Sequence, residues 1–314
     1  MAPRRPWLAA VMSLLLPGLG QLYNGEVNRA IWTLLIFLLG ALPIPASIAL
    51  WLAPVATGPA LLVAVLFAFG VWLWAVADAW RGARARTGYR LPGWQRSGVY
   101  ALVFVFAHVI TMPLLLGWVR DHLVRAFKVP SASMMPSILP GDHLFADMRY
   151  NCPGCASGVH RGDIAIFIDP NDRTRFYVKR IIGLPGDEVR IAGGAVSVNG
   201  EWLSRPARGA ASGEQSTGQL ECIAERCWMV NIGSAASQAD KADSDRAPAL
   251  TVPAGAVYLL GDNRVASVDS RKLGPVPLVD VVGRVRQIYF SHGENGIRWS
   301  RIGALPSSSA APEQ

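Results

Sequence analysis

A serine-rich turn is the first part of this 314-residue chain whose residue types could carry out nucleophilic chemistry. The turn runs from Pro130 to Asp142 and carries Ser131 and Ser133 two positions apart, followed by methionine and proline residues. Taken alone, such serines are typical of turns and helix caps. A serine becomes a nucleophile only when a base lies within hydrogen-bonding reach of its hydroxyl. The chemistry therefore depends on a base elsewhere in the chain.

Lys179 is the strongest candidate for this base. It lies in the apolar segment Tyr177–Ile182, and burial lowers the pKa of a lysine from about 10.4 because the charged form loses its hydration. A neutral amine could then take the hydroxyl proton of a serine. The alternative is an exposed lysine that shares a solvated surface with Arg180. Strand alternation puts Lys179 on the same face as Tyr177 and on the opposite face to Arg180, and it does not decide which face is buried.

Other chemistry is weakly supported. No Ser-His-Asp arrangement is recognisable and Gly-x-Ser-x-Gly is absent, although the C-terminal part contains His122, His143, His160 and His292. The Gly183–Asp187 segment is a turn signal rather than a phosphate loop, and no Walker A motif is present. The positive charge of +8 is not gathered in an aromatic-interleaved stripe, which disfavours nucleic-acid binding. The sequence predicts no organic cofactor and no catalytic metal.

The segments that must position the serine and the lysine have the pattern of short β-strands. They are β-branched, brief and bounded by Gly, Pro, Asn or Asp. The predicted strands are Asp163–Ile168, Phe176–Ile182, Glu188–Ile191, Val196–Val198, Ala256–Leu260 and Val281–Phe290. Asn199-Gly200 predicts a type I′ hairpin turn. The small and polar residues of Asn231–Pro248 indicate a surface loop, and the tail from Pro306 is expected to be unstructured.

The first 120 residues have the composition of a membrane region. The whole chain is 51% hydrophobic and only 17% charged, which excludes an intrinsically disordered protein and disfavours a purely soluble enzyme. No charged residue occurs from Ala30 to Ala77, and a Pro/Gly break at Pro54–Pro59 divides this stretch. We expect membrane spans at about residues 31–53 and 59–80, and a third at 98–119.

The loop charges give an orientation. The loop at residues 81–97 carries five arginines and no acidic residue: Arg81, Arg84, Arg86, Arg90 and Arg96. Positively charged loops stay in the cytoplasm, so the domain after the third span is expected on the outer face. Residues 7–23 resemble the opening of a signal peptide, but Pro17-Gly18 interrupts the run, which favours an interfacial or re-entrant helix.

The expected organisation follows from these patterns. Residues 1–97 form an N-terminal membrane region and residues 98–119 form the last span. Residues 120–305 form an outward-facing, mainly β domain, and residues 306–314 form a disordered tail. The fold class is therefore N-terminal membrane α-helices followed by a mainly β domain.

Four motifs in the β domain, taken together and in order, resemble those of type I signal peptidases, the membrane-bound Ser/Lys proteases. The motifs are Ser131–Ser137, Arg161–Phe167, Tyr177–Asp187 and Gly261–Arg271. The resemblance does not extend to the first 97 residues. It implies a signal-peptidase-like β fold and an endopeptidase that removes signal peptides after a small residue, through an acyl-enzyme.

The resemblance also implies a role for each matching residue. Ser133 would be the nucleophile and Lys179 the general base. The Ser133 N–H and the Ser131 hydroxyl would form the oxyanion hole. Ser267 would hydrogen-bond to the lysine amine. Asp269 and Arg271 would brace this segment as an ion pair, with Asp262 in support.

Substrate pockets are implied as well, lined by Pro130, Met134, Ile138, Tyr177 and Val178. Two departures from the family pattern stand out. Val265-Ala266 occupies the place of a commonly polar pair, and Ser137 replaces a common threonine. Neither touches the Ser/Lys pair.

The four cysteines lie in the domain expected outside, where disulfides are favoured. Two local disulfides, Cys152–Cys155 and Cys222–Cys227, are preferred over a four-cysteine zinc site and over a redox motif. The 222–227 pair is similar to a loop disulfide of some members of the family.

Preproteins with signal peptides and the lipid bilayer of the plasma (inner) membrane are the implied partners, with the secretion machinery as a further candidate. Two alternatives stay open. One is a specialised peptidase of the same chemistry that matures a pilin-like or conjugation-related substrate. The other is a non-catalytic membrane scaffold that shares the fold.

Overall fold

The computed structural model describes residues 4–41, 43–52, 54–86, 88, 92–151, 158–192, 195–205, 218–233 and 248–304. Two compact units divide the chain between Val124 and Arg125. This division falls a few residues after the start expected for the β domain. Each unit has its own secondary structure and its own packed residues.

The first unit is helical. Its helices are α1 (Pro6–Leu15), α2 (Leu19–Tyr23), α3 (Val27–Ala41), α4 (Pro43–Trp51), α5 (Pro54–Arg84), α6 (Ser97–Val105) and α7 (Met112–His122), with a π-helical segment at Phe106–Thr111 between the last two. By length and composition, Val27–Trp51, Ala56–Arg84 and Ser97–His122 could each cross a membrane. The π-helical segment precedes Pro113, which has no N–H to donate to the preceding turn.

Two expectations for this unit are wrong. The predicted break at Pro54–Pro59 lies inside α5, and Pro59 is accommodated early in that helix. Proline is tolerated in apolar helices because neighbouring groups can satisfy the freed carbonyl.

Residues 7–23 do not form one helix, because Gly18 adopts a positive φ of 97° between α1 and α2. A Cβ at this glycine would meet the Ala30 carbonyl oxygen at 2.5 Å, so only glycine fits the turn.

A buried polar cluster joins α1, α2 and α5. The Gln21 amide donates to the carbonyl of Ala75 at 2.8 Å and to the carboxylate of Asp78 at 3.1 Å. Ser13 donates to Gln21 at 3.0 Å, and Asn24 donates to the Ala79 carbonyl at 2.8 Å. An unsatisfied polar group among apolar helices costs several kcal/mol, roughly, so these bonds fix how the three helices pack.

The second unit is mainly β. Its strands are β1 (Val124–Lys128), β2 (Asp142–Asp147), β3 (Ile164–Ile168), β4 (Phe176–Gly183), β5 (Glu188–Ala192), β6 (Ala195–Val198), β7 (Glu201–Trp202), β8 (Ser204–Arg205), β9 (Gly218–Ile223), β10 (Arg226–Asn231), β11 (Leu250–Thr251), β12 (Ala256–Leu260), β13 (Val276–Pro277), β14 (Val281–Gly293) and β15 (Gly296–Ile297). A short helix, α8 (Ser270–Leu273), follows β12, and 3-10 turns lie at Leu278–Asp280 and Trp299–Arg301.

These strands form three sheets. The largest has the order β1-β2-β14-β3-β4-β12-β13, with β15 paired to β14. Smaller sheets have the orders β10-β9-β8 and β11-β5-β6-β7. The predicted fold class is confirmed: apolar helices are followed by a mainly β unit.

The strand predictions are accurate in place and incomplete in number. All six predicted runs are strands, and Asn199 and Gly200 have φ values of 52° and 85°, as a type I′ turn requires. The pairs β1–β2 and β9–β10 were not predicted, because their sequences mix charged and apolar residues. Within the loop Asn231–Pro248, Asn231 ends β10, and residues 234–247 lie outside the described residues, as does the tail.

Strand β4 contributes to all three hydrophobic clusters of this unit. Ile182 belongs to the first, Val178 packs against the second, and Ile181 belongs to the third. Both faces of β4 are therefore covered by protein. This burial explains why two charged side chains on consecutive positions, Lys179 and Arg180, are 1% and 0% exposed.

A disulfide between Cys222 and Cys227 closes the β9–β10 hairpin. In the chain-entropy account, a loop this short stabilises the folded state by roughly 2 kcal/mol. We predict that replacing both cysteines by serine lowers the free energy of unfolding by about this amount, measured by thermal unfolding in detergent. If the variant and the wild-type protein had the same thermal midpoint, the disulfide would contribute nothing to stability.

Candidate active site

The serine-rich turn is a loop with closed ends. Val129 and Gly141 at its two ends are joined through backbone hydrogen bonds, Val129 N–H to the Asp142 carbonyl and Gly141 N–H to the Val129 carbonyl, both at 2.9 Å. The Asp142 carboxylate also accepts from the Leu139 N–H at 2.8 Å. Inside the loop, Met134 and Ile138 are buried in the hydrophobic core. The loop therefore holds Ser131 and Ser133 on a segment that is anchored in the hydrophobic core by Met134 and Ile138.

Lys179 reaches this loop from β4. Its Nζ lies 2.7 Å from Ser133 Oγ, although the two residues are 46 positions apart in sequence. A second bond joins Nζ to the Val178 carbonyl at 3.1 Å. Lys179 is paired in register with Ala165 of the neighbouring strand β3. The structure thus brings together the two residues predicted to do the chemistry.

Burial lowers the pKa of Lys179 to about 8. Loss of hydration is the main cause, and the charge of Arg271 acts in the same direction. The carboxylates of Asp269 and Asp262 oppose this shift. No carboxylate lies within 4 Å of Nζ in the part of the chain that the structure describes. The amine is therefore neutral in a large fraction of molecules slightly above neutral pH, and it can then accept a proton from the serine hydroxyl.

Two donors lie beside the Ser133 hydroxyl. The Ser131 Oγ is 3.2 Å from Ser133 Oγ and is exposed. The Ser133 N–H donates to no group among the described residues. Both donors are thus available to an oxyanion that forms on a carbonyl attacked by Ser133.

The segment after β12 holds the backbone of the serine loop. The Asn263 N–H donates to the Ser133 carbonyl at 3.1 Å, and the Asn263 amide donates to the Ala132 carbonyl at 3.0 Å. Gly261 lies against the same carbonyl: a Cβ at this position would be 2.5 Å from the Ser133 oxygen and 2.2 Å from Ser267 Oγ. Only a residue without a side chain permits this approach.

The predicted ion pair between Asp269 and Arg271 is present. Arg271 donates from Nε and a terminal nitrogen to the two carboxylate oxygens at 2.8 and 2.9 Å. Asp269 also caps α8 and accepts from the Gly261 N–H at 2.9 Å. Burial favours a higher pKa for Asp269, but the Arg271 and Gly261 hydrogen bonds lower it below its usual range.

Asp262 pairs with Arg180, a residue to which no catalytic or supporting role was assigned from the sequence. Arg180 donates to both Asp262 oxygens at 2.8 and 2.7 Å, and it donates to the Gly162 carbonyl at 2.8 Å. The expectation that Arg180 could lie on a solvated surface is wrong. Its charge inside an otherwise apolar strand was the available signal, because a buried guanidinium requires a buried acid.

One expected contact is absent. Ser267 Oγ is buried and makes no hydrogen bond to Lys179 among the described residues, although its hydroxyl is close enough to Asp269 to help lower the pKa of that carboxyl. The hydroxyl lies beside Gly261, where an added Cβ would be 2.2 Å away from it.

The predicted pocket residues divide into two groups. Pro130, Tyr177 and Val178 keep exposed surface and can touch a substrate. Met134 and Ile138 are core residues without accessible surface of consequence. The Tyr177 ring lies 5.6 Å from the Lys179 amine, close to the reacting groups.

The structure also describes both places where the sequence departs from the family pattern. Val265 is 64% exposed, so an apolar residue at this position meets solvent rather than the core. The Ser137 hydroxyl accepts a long hydrogen bond of 3.4 Å from Arg180.

Cys222 and Cys227 bond to each other, which is inconsistent with a zinc site that uses all four cysteines. Cys152 and Cys155 lie outside the described residues.

A buried amine against a serine hydroxyl, on a mainly β unit that follows apolar helices, is the arrangement of a Ser/Lys hydrolase. The sequence profile described as "Signal peptidase, peptidase S26" matches residues 100–290, more than half of the chain. The chain therefore belongs to the signal peptidase family, peptidase S26.

The chain is similar in sequence to curated signal peptidases and to a solved structure. The chain is 29% identical to signal peptidase I of Rickettsia prowazekii over 209 residues, covering 59% of this chain and 78% of the relative. It is 29% identical to signal peptidase I of Pseudomonas fluorescens over 215 residues, covering 59% and 73%. A crystal structure of a signal peptidase I from Enterococcus faecalis aligns with a TM-score of 0.26 and 29% identity, over 41% of this chain and 97% of the other.

We predict that Gly261→Ala lowers the rate of peptide cleavage by about 10²-fold, because the added methyl group displaces the Ser133 carbonyl. The measurement is kcat on a peptide substrate, with circular dichroism to verify folding. Gly158→Ala is the matched control, because its Cβ would meet open space and its backbone, like that of Gly261, does not have a positive φ. Equal kcat values for the two variants would contradict the steric argument.

We predict that activity rises with pH through an apparent pKa near 8, because only the neutral amine of Lys179 can accept the serine proton. Asp269→Asn removes a charge that raises this pKa, so the acidic limb should move to lower pH. The measurement is kcat/KM between pH 5 and 10. Asp172→Asn, in an exposed turn, should leave the limb in place. A limb near 10 in the unmodified protein would contradict a desolvated lysine.

Proposed function

We propose that this protein is an endopeptidase that removes N-terminal signal peptides from exported preproteins after a small residue. The single observation that carries the proposal is the 2.7 Å contact between Lys179 Nζ and Ser133 Oγ, made by an amine whose pKa is lowered by burial to about 8. Membership of the signal peptidase family supports both the reaction and the substrate class.

The reaction follows from the positions of four groups. Neutral Lys179 takes the hydroxyl proton as Ser133 Oγ attacks the carbonyl carbon of the scissile peptide bond. The negative charge that develops on the carbonyl oxygen is stabilised by the Ser133 N–H and the Ser131 hydroxyl. The Lys179 ammonium then gives its proton to the leaving amine, which departs with the mature chain. The signal peptide stays on Ser133 as an ester until water, activated by the neutral amine, hydrolyses it.

The surface around Ser133 favours a small residue before the cut. Pro130, Tyr177 and Val178 keep exposed surface on the two segments that carry Ser133 and Lys179, and Met134 and Ile138 of the serine loop are fully packed. Side chains that are already fully packed leave no space for a large substrate side chain, which would overlap with them. This supports the choice of small residues that the resemblance implies.

The membrane supplies the substrate in the proposed function. The three apolar helical stretches are compatible with a membrane protein. We propose a multi-pass protein of the plasma membrane whose β unit lies on the outer face, supported by the arginines of the 81–97 loop. Signal peptides emerge on that face still attached to the bilayer, so the enzyme meets them there. Contact with the secretion machinery is a further proposal.

We predict that Ser133→Ala and Lys179→Ala each abolish cleavage of a purified preprotein, since the reaction loses its nucleophile or its base. Fragment masses report the reaction and locate the cut. Lys272→Ala, which removes an exposed lysine of α8, is the matched control and should retain full activity. Cleavage by a clean Lys179→Ala preparation at the rate of the control would end the Ser/Lys mechanism.

A further inference from the structure

We propose that Glu221 is a positioning residue for the nucleophile, acting through Arg264. This inference rests on the proposed function of Ser133. Glu221 lies on β9, outside the four motifs that resemble the family, and the sequence offered no reason to select it. Its carboxylate reaches the serine loop through two consecutive sets of hydrogen bonds.

The first set is a buried ion pair. Arg264 donates from its two terminal nitrogens to the two Glu221 oxygens at 2.7 and 2.5 Å. The side chains of Glu221 and Arg264 are 0% and 3% exposed. A bidentate pair of this kind fixes both the position and the orientation of the guanidinium plane.

The second set joins Arg264 to the segment beside the nucleophile. Its Nε donates to the Gly261 carbonyl at 3.1 Å, and its backbone N–H donates to the Asn231 carbonyl at 2.8 Å. The two bonds hold both ends of the turn from Gly261 to Arg264. Asn263, within this turn, donates to the carbonyls of Ser133 and Ala132. The orientation of the guanidinium therefore sets where the Ser133 backbone lies.

Glu221 is itself held on a rigid element. It pairs with Ser204 of β8 on one side and with Trp228 of β10 on the other, and it precedes the disulfide-bonded Cys222. Asn231, at the end of β10, bridges to Asn263 through their side-chain amides at 3.3 Å. The β9–β10 hairpin thus contacts the catalytic turn at two points.

The energetics favour positioning over stability as the role of this pair. Burying two charges costs hydration that their attraction scarcely repays, and apolar replacements of similar volume are often as stable. What an apolar pair cannot supply is the hydrogen bond from Arg264 Nε to the Gly261 carbonyl. The specific contribution of the pair is therefore geometric.

The test separates geometry from stability with three variants of the full-length protein. Glu221→Gln keeps the shape and removes the charge. Glu221→Met combined with Arg264→Leu replaces the pair by an apolar one. Asp187→Asn, the control, breaks the bidentate pair of Asp187 with Arg161, which touches neither Ser133 nor Lys179. For each variant, kcat and KM for preprotein cleavage and the thermal midpoint are measured in the same detergent.

We expect Glu221→Gln to lower kcat by about ten- to a hundredfold with KM within about threefold, because the nucleophile is displaced while the substrate surface is intact. The Glu221→Met/Arg264→Leu protein should have the thermal midpoint of the wild-type protein and a kcat as low as that of Glu221→Gln. Asp187→Asn should lose midpoint and keep kcat within about twofold.

Two results would overturn the inference: a Glu221→Gln kcat within twofold of wild type, or a kcat that recovers together with the midpoint in the double variant. Failure of the proposed function is distinguishable, because in that case the wild-type protein itself leaves the preprotein intact. Cleavage by wild type with equal cleavage by Glu221→Gln refutes only the role of Glu221.

Discussion

The chemistry of this protein depends on one amine that is removed from water without a carboxylate bonded to it. Lys179 is 1% exposed, and its Nζ bonds to the Ser133 hydroxyl and to a backbone carbonyl. A direct ion pair would raise the pKa of the amine and hold it in its charged form, which cannot accept the serine proton near neutral pH. The surrounding strands supply the burial, and the nearby acids are instead occupied by arginines. The domain is built to keep this lysine apart from the negative charges around it.

The arginines make that separation possible. Asp262 is neutralised by Arg180 and Asp269 by Arg271, each through two hydrogen bonds. These acids act on Lys179 at a distance and moderate the fall of its pKa. The same pairs brace the turn that carries Gly261 and Asn263, which in turn holds the Ser133 backbone. Electrostatics and geometry at this site are therefore set by the same side chains.

Sequence patterns were sufficient for the fold class and for the six predicted strand runs, and the resemblance of the motifs was sufficient for the reacting pair. Strand runs such as Ala256–Leu260 and the Asn199-Gly200 turn follow local rules, and the motifs around Ser133 and Lys179 are specific. Partners across the fold were beyond reach. The bonds from Arg180 to Asp262 and from Arg264 to Glu221 join residues 82 and 43 positions apart, and alternation cannot say which face of a doubly covered strand is buried. The absence of a bond from Ser267 to Lys179 also depends on tertiary packing, namely its fit beside Gly261.

Strand β4 places two cations on consecutive positions with opposite fates. Lys179 faces the serine with its amine, whereas Arg180, on the other face, bonds through its guanidinium to the carboxylate of Asp262. A shift of the strand by a single residue would exchange the two faces. It would then present to the serine a guanidinium that cannot surrender its proton. Insertions and deletions within this strand should therefore be far less tolerated than most substitutions. Activity requires that the lysine, and not the neighbouring arginine, lies on the face of the strand that meets the serine.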